Sequence, residues 1–143
     1  MPIKIIDHGS GEYEQMIALR KEVLRKPLGL TYSQEDLDRD KNDILIGAFE
    51  DDIILACCIL TRTAPDAFQL RQMAVEQKMQ RNGVGAAIMA FSENIARDAG
   101  GRTMMMHARK TATGFYEKLG YSIFGEEFTE VGIPHFEMRK TLI

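Results

Sequence analysis

Residues 53–60 read Ile-Ile-Leu-Ala-Cys-Cys-Ile-Leu, an apolar run of strand length with no polar break. A strand with one wet face alternates apolar and polar residues, so an unbroken run points to a strand covered on both sides. Helices must then supply both covers, which restricts the chain to a layered α/β domain. The neighbouring run 44–49 is also strand-like. The acidic, turn-compatible Glu50-Asp51-Asp52 between the two predicts a hairpin.

The remaining pattern fits that frame. Residues 3–6 suit a first strand. Tyr13, Met16, Ile17, Leu19, Val23 and Leu24 give residues 12–24 a helical apolar face, capped by Ser10 and stopped by Pro27 and Gly29. Residues 33–38 suit a short second helix. After the breaker Ala64-Pro65-Asp66 comes a strand at 68–75, then a helix over 83–99 with Val84, Ile88, Phe91 and Ile95 at helical spacing. Gly100-Gly101 ends it. A strand at 103–108, a helix at 111–119 ended by Gly120, and strands at 121–124 and 135–141 complete the order. The whole predicts one domain over residues 1–143 with a mixed sheet.

Bulk properties exclude several function classes. The formal net charge of -3 disfavours a general nucleic-acid binder. Residues 1–10 lack the apolar run of a signal peptide, and no stretch reaches the length of a membrane span. Cys57 and Cys58 are the only cysteines. As neighbours on a strand they face opposite ways, which suits two small buried hydrophobes rather than a disulfide or a metal site. The expectation is a soluble, cytoplasmic protein with no metal, nucleic-acid or membrane partner.

Chemistry concentrates in Gln80-Arg81-Asn82-Gly83-Val84-Gly85-Ala86, at the start of the third helix. Helix N-termini present unpaired N–H groups, glycine lets a ligand approach them, and each anion gains about 0.3–1 kcal/mol from the helix dipole. Arg81 adds a positive charge. The Gly-Lys-Ser/Thr of a nucleotide P-loop is missing. So is the third glycine of a dinucleotide fingerprint, since Ala86, Ala87 and Ile88 stand there. On spacing alone, an ordinary helix start fits as well as a pyrophosphate site.

The stretch Met73-Ala74-Val75 followed by Gln80 to Ala86 resembles the first signature of the GCN5-related N-acetyltransferases (GNAT). Downstream, Ala112-Thr113-Gly114-Phe115-Tyr116-Glu117-Lys118-Leu119-Gly120-Tyr121 is similar to their second signature. The element order agrees along essentially the whole chain. The resemblance implies a mixed, mostly antiparallel sheet with splayed central strands flanked by helices, and acetyl-CoA as acyl donor. It assigns cofactor contacts to Met73, Ala74, Val75, Arg81, Asn82, Gly83, Val84, Gly85, Ala86, Phe115 and Tyr116. The Met73 N–H would face the acetyl oxygen, and Tyr116 would protonate the thiolate leaving group as general acid. Tyr116 lies on the flank of the stripe formed by Ala112, Phe115 and Leu119, which favours that role over core packing. Many members carry Asn where this chain has Arg109, so the role of Arg109 stays open between a cofactor phosphate and solvent.

The acceptor side is less defined. Residues 68–73 offer no carboxylate base, which leaves His107, His135 and Glu22 as candidates. Gly132-Ile133-Pro134-His135 resembles the tail of the ElaA-like branch, which raises His135 among them. Arg20, Lys21, Arg25 and Lys26 form a basic cluster that is a solvated face or a holder for an acidic group on a small amine, and Arg71 in the strand is an alternative substrate contact. A peptide acetyltransferase and a non-catalytic acyl-CoA-binding regulator remain alternatives to a small-molecule enzyme, and homodimer formation stays open.

Overall fold

The computed structural model describes residues 1–80 and 82–143; Arg81 lies outside the described residues. Strands β1 (Ile3–Ile6), β2 (Ile44–Glu50), β3 (Ile53–Ala64), β4 (Ala67–Val75), β5 (Thr103–Arg109), β6 (Ser122–Glu130) and β7 (Ile133–Thr141) form one sheet in the order β1-β2-β3-β4-β5-β7-β6. Every neighbouring pair is antiparallel except β4–β5. Helices α1 (Gly11–Arg20), α2 (Gln34–Asp38), α3 (Val84–Asp98) and α4 (Thr113–Lys118) complete the α/β layers.

Strand β3 is covered on both faces, as its apolar run requires. Ala56, Cys58 and Leu60 join the core under α3, with Ile88, Met89, Met104 and Met138. Cys57 and Ile59 point the other way, into the core under α1 with Tyr13, Met16 and Leu45. Each fully buried Ile or Leu contributes about 1.5–3 kcal/mol, so neither helix layer is dispensable. The hairpin turn is at Asp51-Asp52, both with positive φ (50° and 64°), a conformation that Asp tolerates better than most side chains.

Several boundaries differ from the sequence expectation, among them the end of β3, which reaches Ala64 instead of Leu60. The first helix stops being α-helical at Arg20 and continues as a π turn over Lys21–Arg25, then a 3-10 turn over Lys26–Leu28. Neither turn buries a residue. Strand β6 runs to Glu130 instead of ending at Phe124, with an irregularity between Phe124 and Phe128 and Gly125 at φ 84°. Strand β7 begins at Ile133, two residues early, because Val131 and Gly132 (φ 46° and 79°) close a tight hairpin.

Two irregularities shape the site. Cys57 pairs with Ala74 and Ile59 with Arg71, so Gln72 and Met73 together face Cys58 as a β-bulge, with Gln72 at φ 55°. Bulges bend the strand that carries them. Strand β4 then pairs with β5 only over Ala67–Leu70, against Thr103–Met106. Beyond Leu70 the two strands splay while β5 stays paired with β7 as far as Arg109.

The buried thiols and phenols predict an alkaline limit to stability. Burial raises the Cys58 thiol to about 12 and pushes Cys57, Tyr13, Tyr116 and Tyr121 up as well. In the unfolded chain the thiols release protons near pH ~8.5 and the phenols near ~10. Above those values the unfolded state binds fewer protons than the folded one, so folding stability falls as pH rises. Melting temperature measured from pH 7 to 10.5 should fall, beginning near pH ~8.5. A flat profile would show that these groups ionise freely in the folded protein.

Candidate active site

The splay between β4 and β5 opens a cavity of about 210 Å³. Its floor is the bulged half of β4 (Arg71, Gln72, Met73) and the end of β5 (His107, Ala108, Arg109). Leu24 and Arg25 of the π turn wall one side; Glu130, Val131 and His135 of the β6–β7 hairpin wall the other. Tyr116 lies at the end nearest α3. The edge of β4 that faces β5 has no strand partner from Arg71 to Val75 among the described residues.

The two sequence signatures meet at that end. Gly83 (φ 82°) precedes α3, and the helix ladder opens only with the Ala87 N–H donating to the Gly83 carbonyl at 3.0 Å. The N–H groups of Val84, Gly85 and Ala86 therefore fall in the first turn, where no intrahelical acceptor is available. A Cβ at Gly85 would stand 3.1 Å from the Phe115 ring, so the start of α3 and α4 approach closely at this glycine. Asn82 completes the described part of the loop; the contact expected of Arg81 falls outside it. An unpaired strand edge next to a helix N-terminus suits an amide-containing arm that ends in a pyrophosphate, and acetyl-CoA has both.

Tyr116 corrects the expectation drawn from α4. It is not on the flank of the helix: it is 7% exposed, whereas Phe115 is 40% exposed. Tyr116 packs edge-on between Phe115 and Tyr121 at 5.0 and 6.0 Å and still lines the cavity. Burial, and to a smaller degree neighbouring Cys58, holds its phenol well above the ordinary value. It therefore enters any reaction at neutral pH with its proton in place.

The basic cluster divides. Arg20 is 1% exposed, and its Nη1 donates to Asp40 Oδ2 at 2.8 Å. Tyr13 donates to the same oxygen at 2.7 Å. This guanidinium is therefore a buried, ion-paired group at the border of a smaller cavity. Arg25 and Arg71 do reach the cavity, Arg71 with Asp43 at 3.3 Å as its ion-pair partner. Arg109 is partly exposed and lines the cavity; its Nη2 donates to the Leu24 carbonyl at 3.1 Å, tying β5 to the π turn.

His135 is buried and lines the cavity, with its Nδ1 2.9 Å from the Ile133 carbonyl. A carbonyl only accepts, so Nδ1 carries the hydrogen and Nε2 holds the lone pair of the neutral ring. Nε2 stands 3.7 Å from Glu130 Oε2, and the other Glu130 oxygen is 2.9 Å from His107 Nδ1. A proton arriving on His135 thus finds a carboxylate ready to pair with it. Glu22, the third base candidate, is exposed and pairs with Lys26.

Some site residues escaped the sequence reading. Tyr32 donates to Gln72 Oε1 at 2.6 Å and pins the bulge. Glu130 links two of the three base candidates. Neither residue belongs to a motif, and each acts through a partner far away in sequence. Arg20 did leave a signal, since it follows Tyr13, Met16 and Ile17 at seven, four and three residues, on the buried stripe of α1.

Comparison with known proteins agrees with this geometry. The family model described as an acetyltransferase (GNAT) domain matches residues 13–142. The Bacillus subtilis (strain 168) protein YyaT is 35% identical over 74 residues, which cover 52% of this chain and 50% of YyaT. The match thus spans about half the length of that relative. Among solved structures, a putative N-acetyltransferase from Lactobacillus plantarum superposes with a TM-score of 0.87 at 22% identity, covering 100% of both chains. An aminoglycoside 6'-N-acetyltransferase complexed with coenzyme A gives 0.83 at 18%, covering 100% of this chain and 98% of that one. Escherichia coli ElaA gives 0.83 at 18%, covering 97% and 98%. At these identities the structural likeness shows the shared fold, and the family match extends it to kinship: the chain belongs to the GNAT acetyltransferase family.

Proposed function

We propose that the protein transfers the acetyl group of acetyl-CoA to the primary amine of a small molecule, by direct attack within the splayed cavity. The observation that carries this reading is the unpaired edge of β4 from Arg71 to Val75, which runs between the first turn of α3 and Tyr116. The edge would hold the amide arm, with Ala74 and Val75 following the Met73 backbone. Residues 82–86 would hold the pyrophosphate. The cosubstrate supplies a thioester; the chain supplies position and protons. On this reading the Met73 N–H would meet the carbonyl oxygen. The Tyr116 phenol would donate to the departing thiolate.

The base is His135, through Nε2, with Glu130 to pair with the imidazolium that results. Walls on both sides of the cavity, the π turn and the β6–β7 hairpin, favour a small acceptor over an extended peptide. A neighbour crystallised with coenzyme A and described as acting on aminoglycosides supports the donor and an amine acceptor.

Acetyl-CoA at a hundred times its dissociation constant should stabilise the fold by about 2.7 kcal/mol, a rise in Tm of roughly 5–10 °C for a chain of this size. Thiol release against a panel of amines should accompany it. A concentration-independent Tm would remove the cofactor assignment. Binding without thiol release for any amine or peptide would leave the acyl-CoA-binding regulator as the reading.

A further inference from the structure

We infer that the acceptor carries a carboxylate beside its amine and that Arg25 holds that carboxylate; this deepens the acetyltransferase reading and rests on it. A second cavity of about 100 Å³ adjoins the first and shares Arg25, Arg71 and Gln72 with it. Four guanidinium groups border this cavity, those of Arg20, Arg25, Arg39 and Arg71, against one carboxylate in its lining, Asp36. Three of the four have partners of their own. Arg20 is paired with Asp40 and Arg71 with Asp43, while Arg39 reaches Asp36 at 3.7 Å and the exposed Glu35 at 3.4 Å. Asp36 is further committed to the N-cap of α2, where it accepts from the Ser33 N–H at 3.0 Å.

Arg25 differs from the rest. Among the described residues no carboxylate lies within ion-pair distance of it. Its guanidinium rests on the Tyr32 ring, 4.6 Å from the centroid, and that ring is fixed by the hydrogen bond to Gln72. Stacking orients the planar fork without using up its N–H donors. A half-buried guanidinium with free donors, at the junction of two cavities, suits a carboxylate by charge and by bidentate geometry. The main cavity adds Arg109, whose Nη2 is spent on a carbonyl, and its lining carboxylate, Glu130, sits between His107 and His135.

These charges separate this acceptor site from one for cationic amines. An aminoglycoside, protonated on several nitrogens, would set ammonium groups against Arg25, Arg71 and Arg109. An amino acid places one nitrogen at the Gln72–Met73 bulge and its carboxylate at Arg25, so that both cavities are used.

The test compares amino acids with their own carboxamides, with kanamycin as a cationic control, in an acetyl-CoA thiol-release assay. The best amino acid should exceed its carboxamide at least tenfold in kcat/KM. Arg25→Gln should raise KM for the acid at least tenfold and raise KM for the carboxamide by a clearly smaller factor. The same compounds titrated calorimetrically into the CoA-loaded protein read binding apart from turnover. Arg25-dependent binding of the acids without acetyl transfer would sink the catalytic reading and keep the subsite. Transfer to amines with no preference for the acid, or an unchanged KM in Arg25→Gln, would overturn the subsite and keep the enzyme. Absence of both transfer and acid binding would overturn both.

Discussion

Tyr116→Phe is expected to lower kcat by about 10²-fold, the lower end for loss of a proton donor, while the dissociation constant for acetyl-CoA changes by less than threefold. The ring fills the same space in the variant, packed between Phe115 and Tyr121, so the cavity keeps its shape. Only the hydroxyl is lost, and it matters only when charge develops on sulfur; a loss confined to the transition state appears in kcat. Burial keeps the phenol protonated at neutral pH. On the proposed reading it would hydrogen-bond the departing thiolate and donate to it as the carbon–sulfur bond breaks. At the other end of the proton path, His135→Gln should also reduce kcat with acetyl-CoA affinity retained. Stopped-flow or steady-state kinetics with calorimetry on the same variants decides both. Full activity in Tyr116→Phe would return Tyr116 to core packing alone.

What could be read from the sequence was what a local pattern determines. The two-sided burial of β3 follows from residues 53–60 without reference to any other part of the chain, and the Asp51-Asp52 turn follows from its own composition. The glycine loop is also local, since helix N-termini and glycines carry their chemistry with them. The π turn was not legible, because Val23 and Leu24 continue the α-helical spacing although the backbone has changed its winding. The length of strand β6 beyond Phe124 was not legible either: it lies at the sheet edge with almost every side chain exposed, so it shows no apolar alternation.

The phase of α4 failed for a different reason. Six residues make fewer than two turns, and a stripe through Phe115 fits as well as one through Tyr116. Burial of Tyr116 in the core shared with α3 chose the second. Glu93 is a third case, a charged residue on the buried side of α3. It is held there by the Tyr121 hydroxyl at 2.8 Å and the Lys140 ammonium at 2.9 Å, both distant in sequence. Long-range partners of this kind are what decide whether a charge is core or surface, and local periodicity does not contain them.

Arg20 and Asp40 give the second large effect, on stability. Both are 1% exposed. Truncating either partner of a buried pair costs about 3–5 kcal/mol, because the other charge is left without its counterion in a poorly solvating interior. Asp40→Ala should be the worse of the two, since it leaves Arg20 without its counterion and removes the nearer of the two acceptors of the Tyr13 hydroxyl, leaving only the Leu37 carbonyl at 3.2 Å. Replacing both together, as in Arg20→Met with Asp40→Leu, should cost less than the sum of the single changes, because no unpaired charge remains. Urea unfolding of the three variants measures this, and a loss below ~1 kcal/mol for Asp40→Ala would place the pair in the solvent-screened class. The effect should also reach the site. Arg20 lies 4.6 Å from the centroid of the same Tyr32 ring that supports Arg25, and Tyr32 holds Gln72 at the bulge. Arg20→Met therefore loosens the platform under Arg25 and raises acceptor KM as a consequence of lost stability. Arg25→Gln raises KM with the unfolding midpoint intact. That difference between the two arginines separates a residue that builds the cleft from one that binds in it.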